Sequence, residues 1–71
     1  MGEVKQEPFV ARLIEEKAEL KEKLIKLNVF LKCNKFNELD DYQKSLLIRQ
    51  REAMCVYFET LCARLELNKN D

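Results

Sequence analysis

Apolar side chains recur along this chain in steps of three and four. Between Ser45 and Leu67, the residues Leu47, Met54 and Leu61 share one line at heptad spacing. Leu46 and Ala53 flank it on one side, Phe58 and Leu65 on the other. This is the core face of a helix. A second apolar line follows Ile48, Cys55 and Cys62, with Val56 beside it. A helix apolar around so much of its circumference is normally covered around most of it. A polar line lies between the two: Gln43, Gln50, Tyr57 and Arg64. It has two readings. One is a polar layer that fixes register in a helical assembly, or a solvated edge. The other is a stripe facing a ligand.

A first long helix precedes this one. Val10, Leu13, Leu20, Leu24, Leu27 and Leu31 step by threes and fours, and Lys17 interrupts them once. A lysine stem lies along an apolar seam with its ammonium in water. Ile14, Ile25, Val29 and Phe30 widen the stripe, while Glu19–Lys23 and Glu22–Lys26 form i,i+4 pairs on a solvated face. Pro8 suits the first position of this helix, which leaves residues 1–7 polar and frayed. In the connector, Phe36 and Leu39 tuck beneath the hairpin from one short helical turn that Asn37 caps. Asp40 with Gln43 reads as the capping box of the second long helix, and Asp41 adds negative charge at its positive end. The terminal NKND has no apolar residue and is expected to fray.

The spacing therefore predicts an all-α protein, a single domain over residues 1–71, with helices over about 8–32 and 41–67 and a connector over about 33–40. Two helices so joined fold back as an antiparallel hairpin. The first is amphipathic and covers one face of the second. The uncovered face predicts self-association, as a dimer of hairpins or a higher ring. The expected interface is Leu47, Ile48, Met54, Cys55, Phe58, Leu61, Cys62 and Leu65.

Composition strengthens that expectation. A chain of 71 residues with a small core needs a staple or a partner. There is no histidine, and Cys33, Cys55 and Cys62 show no C-x-x-C spacing, so no zinc site is expected. Cys55 and Cys62 stand about 10 Å apart along a helix axis, too far for a disulfide. Free thiols on an apolar face suit a reducing cytoplasm. Thirteen basic and thirteen acidic residues leave no basic field for DNA or RNA. No apolar run reaches the length that spans a bilayer.

Catalytic chemistry finds little support. Glu52 and Glu59, seven apart on the second helix, read as surface carboxylates, and Cys33 lacks an activating base. No glycine-rich phosphate loop is present. The expectation is a non-enzyme without cofactor or metal. A binding site in such an assembly forms between chains, where neighbouring stripes bring Arg49, Gln50, Arg51, Tyr57 and Arg64 into one cleft. Arginines grip phosphate bidentately, tyrosine stacks on a flat ring, and glutamine reads a base edge. The set suits a nucleotide-like anion; it equally suits an acidic protein.

The chain also resembles a family of short helical proteins encoded by crAss-like and related gut bacteriophages. The resemblance is carried by EKAELKEKLIKLNVFL from Glu16 to Leu31, by Lys35–Phe36, by LDDYQKSLL from Leu39 to Leu47, and by Gln50, Ala53–Met54, Tyr57 and Arg64–Leu65. It brings no established function. It implies a phage origin and the cytoplasm of an infected bacterium. In size and helix content the chain is similar to small helical phage proteins that sequester nucleotide immune signals, an analogy rather than a matched motif. Sequestration of such a signal in clefts between protomers is the leading expectation. The alternatives are a helical adaptor that meets a host or phage protein through the apolar face of the second helix, and a purely structural oligomerisation module.

Overall fold

The computed structural model describes the backbone of residues 2–68 and the side chains of residues 9–68. Three helices follow one another: α1 (Gly2–Leu31), α2 (Asn34–Asn37) and α3 (Asp41–Asn68). No strand occurs among the described residues. The two long helices pack antiparallel into a rod of 55 × 15 × 14 Å. Its radius of gyration is 16.3 Å, against about 11 Å for a compact domain of this length.

The seam uses the heptad positions read from sequence. Leu13 (3% exposed) and Leu20 (6%) of α1 meet Leu61 (0%) of α3. Met54, Phe58 and Leu65 pack against them half-buried. Lys17 sits in the α1 line as expected, with its ammonium 5.8 Å from the centroid of the Phe58 ring. The stem is half-buried and the charge gains the π face. Among the described residues only Leu13, Leu20 and Leu61 are buried hydrophobics, so the core is thin for its length.

The connector closes as a short helical turn. Phe36 lies edge-to-face against Phe30, with ring centroids 6.3 Å apart and planes at 86°. The Lys44 ammonium lies 5.8 Å from the centroid of the Phe36 ring. Asn37 is the last residue of α2 and not its N-cap; Cys33 holds that position without a side-chain cap bond. Asp40 does cap α3: the Gln43 amide donates to its Oδ1 at 2.8 Å, and the Lys44 amide donates to its carbonyl at 3.0 Å. At the far end the Asn68 side-chain amide donates to the Arg64 carbonyl at 2.7 Å, a second contact on a carbonyl of the last helical turn.

Two expectations are corrected. The first helix begins at Gly2, six residues before Pro8, so Pro8 lies inside α1 and residues 2–7 are helical. Helix-forming Glu, Lys and Gln in that stretch carry the helix past the one amide donor that proline lacks. Ile14, Ile25 and Val29 do not widen the core; they are 55%, 53% and 64% exposed. At about 100° per residue they lie more than a quarter-turn away from the Leu13–Leu20 line. Residues 69–71, part of the segment expected to fray, lie outside the described residues; Asn68 is helical.

Candidate functional site

The polar stripe of α3 lies on the surface of the hairpin. Gln43, Gln50, Tyr57 and Arg64 are all exposed, along the edge where α3 turns from α1 towards solvent. Tyr57 shows 43% of its surface. The Gln50 side-chain amide donates to the Met54 sulfur at 3.9 Å, a weak contact that leaves its carbonyl free to accept.

The side chains of α1 make the other wall of this edge. Phe9, Arg12, Leu13 and Glu16 line an open groove of about 190 Å³ together with Arg64. The Arg64 guanidinium stands 5.7 Å from the centroid of the Phe9 ring. A stacked guanidinium keeps its N–H fork free along the ring plane, which suits bidentate contact with a carboxylate or phosphate. Arg12 and Arg64 thus put two permanent cations in one groove, with Glu16 beside them. Tyr57 is one heptad nearer the connector, about 10 Å along the axis. A planar ring lying on Tyr57 would set a phosphate within reach of the two arginines.

Within one hairpin, the five residues expected to meet between chains do not share one face. Gln50, Tyr57 and Arg64 share one edge. Arg49 and Arg51 each diverge from Gln50 by about 100° in opposite directions. Arg49 is exposed and turned outward, and Arg51 is half-buried towards the far side of the seam. Neither joins the groove within a single hairpin. Arg12 and Phe9 were missed as site residues. Arg12 immediately precedes Leu13 and Phe9 lies about one turn before it, on the flank of the α1 stripe, and the signal that points to them is the antiparallel register, which brings the start of α1 beside the end of α3.

The residues expected at an oligomer interface also divide. Leu61 is wholly enclosed by its own chain, and Met54, Phe58 and Leu65 pack against that core, so these four hold the hairpin together. Ile48 remains 39% exposed, and Cys55 and Cys62 are half-buried free thiols on the side of α3 away from the groove. Leu47 is half-buried on the seam side.

Among the described residues no helix is long and apolar enough to cross a membrane. No cluster of three metal-binding side chains occurs among them either. What fold and groove define is a small all-helical hairpin with an open, two-arginine groove on one polar edge. The family model described as Sequestin matches residues 7–67, and the chain belongs to that family. That span takes in most of both long helices, the connector and the groove residues. No curated protein and no solved structure matches the chain.

Proposed function

We propose that this protein binds and sequesters a nucleotide-derived signal without turning it over, and that the signal is one used in bacterial immunity against phage. The carrying observation is the groove in which Arg64, stacked on Phe9, stands beside Arg12 on the same edge as Tyr57 and Gln50. Arg12 and Arg64 hold phosphate; Tyr57 and Gln50 contact the base. The family name fits a sequestering role. Such a role needs affinity and a low off-rate, and no general base or nucleophile.

A groove of about 190 Å³ falls short of the roughly 300–1,000 Å³ that encloses a small molecule. The missing wall comes from a neighbouring protomer, which is where the exposed Arg49 of another chain would reach the ligand. Isothermal titration of the wild type and Arg64→Ala with cyclic dinucleotides, cyclic trinucleotides and ADP-ribose derivatives tests the assignment. Loss of a charge-assisted contact weakens binding by about tenfold or more. An unchanged affinity would remove Arg64 from the site. Uptake of no nucleotide, with stoichiometric capture of one protein instead, would favour the adaptor reading, for which the exposed aliphatic residues speak.

A further inference from the structure

The face opposite the groove is apolar, and its charges are sorted by helix. Both long helices are right-handed and antiparallel, so positions advancing in the same angular sense from the seam emerge on the same face. Arg12 and Glu16 meeting Arg64 in one groove shows this for one side. The other side therefore combines Ile14 and Ile25 of α1 with Ile48, Cys55 and Cys62 of α3. Ile14 and Ile25 are each more than half exposed.

All four acids of α3, Asp41, Glu52, Glu59 and Glu66, fall on this side within about 40° of arc. Among the described side chains of α1, the charges on the same side are Lys17 and Lys21, while Glu15, Glu16, Glu19 and Glu22 point to the other half of that helix. So Lys17 and Lys21 lie towards one edge of the face and the acids of α3 towards the other, with the aliphatic residues and cysteines between them and with Arg51 and Lys44 of α3 closer to the seam.

The surface left open is also larger than that of a compact chain of this mass. The chain exposes 5888 Å², whereas a compact monomer of 8.5 kDa exposes about 4,700 Å². The excess, about 1,200 Å² per chain, exceeds the roughly 800 Å² per partner of a standard stable interface.

We propose that a second copy of the chain covers this face, related by a two-fold axis parallel to the helices, so that α1 of each hairpin lies antiparallel on α3 of the other. The axis follows from the charges. With it, the lysines of α1 meet the acids of α3 twice. A two-fold axis across the helices would instead lay lysine on lysine and glutamate on glutamate. An axis parallel to the helices leaves heights unchanged, so the register is that of the hairpin itself, in which Lys17 is level with Phe58. Lys17 then comes level with Glu59 of the second copy, Lys21 with Glu52, Ile25 with Ile48 and Ile14 with Cys62. The result is a four-helix bundle in which every adjacent pair is antiparallel. Its two Arg12–Arg64 grooves face outward on opposite sides, so clefts between protomers arise where such dimers meet.

This dimer rests on the apolar face and the charge pattern and needs no ligand, so it is tested on the full chain without nucleotide. Sedimentation equilibrium at micromolar concentration should show a dimer. Glu52→Lys with Glu59→Lys, and separately Lys17→Glu with Lys21→Glu, should weaken it by about tenfold or more. The four substitutions together restore opposite charges, within the hairpin as well as across the interface, and should restore the dimer. Ile25→Arg, at a position the hairpin leaves exposed, should give a monomer whose circular dichroism stays helical. A wild-type monomer would overturn the proposal. So would a Glu52→Lys, Glu59→Lys variant that dimerises as tightly as the wild type, or a fourfold variant that stays monomeric.

Discussion

Individual side chains carry very unequal weight in so thin a core. Leu61 has no exposed surface and forms one buried cluster with Leu13 and Leu20 of α1. Leu61→Ala should cost about 2–5 kcal/mol, read as a lower urea midpoint. A loss below 1 kcal/mol would mean that the seam closes around the gap. Asp40 accepts the Gln43 amide at 2.8 Å, so Asp40→Ala should cost about 0.5–2 kcal/mol by the same measurement, with ligand affinity unchanged. Arg12 has the opposite profile. It is exposed and belongs to the groove, so Arg12→Ala should leave the midpoint within about 0.5 kcal/mol and weaken nucleotide binding as Arg64→Ala does. An Arg12→Ala protein that binds as tightly as the wild type would leave the groove with one functional cation.

The elements show what the sequence could and could not reveal. The heptad lines placed Leu13, Leu20, Met54, Phe58 and Leu61 on the seam, because burial on one face of a helix is a local pattern. Asp40 as the cap was legible for the same reason: cap and capped amide are three residues apart. The exposure of Ile14, Ile25 and Val29 was not legible. An apolar residue at the flank of a stripe reads alike whether its own hairpin or another chain covers it, and one partner helix is too narrow to cover that flank here. Arg12 and Phe9 were not legible as site residues because their neighbour Arg64 is far away in sequence; only the register brings them together. The start of α1 was misplaced by giving Pro8 its commonest role. Since α1 continues to Gly2, Pro8→Ala should restore an amide donor inside the helix and raise both the ellipticity at 222 nm and the melting temperature. If Pro8 instead began the helix, the change would be neutral or destabilising.

The whole molecule is a rod with two unlike faces. One edge holds two arginines, a tyrosine and a glutamine over an open groove; the opposite face holds aliphatic residues between the lysines of α1 and the acids of α3. On the proposed reading, a second copy on the apolar face would supply the burial that a thin core lacks, and the polar edge would stay free to bind. If clefts between protomers form where dimers meet, a nucleotide bound there bridges two dimers, and ligand and assembly are linked by mass action. Raised salt should weaken the nucleotide contact, which is charged and exposed, more than the aliphatic dimer contact.

The most direct measurement is native mass spectrometry of the full chain, alone and with cyclic dinucleotides, cyclic trinucleotides and ADP-ribose derivatives. It reads chain number and bound mass together. The expected result is a dimer in the absence of ligand, and, with one of these nucleotide classes, a discrete adduct that shifts the population to twice the dimer mass. A dimer that takes up none of them would contradict the sequestration of a nucleotide signal, and a monomer would contradict the assembly on which the cleft depends.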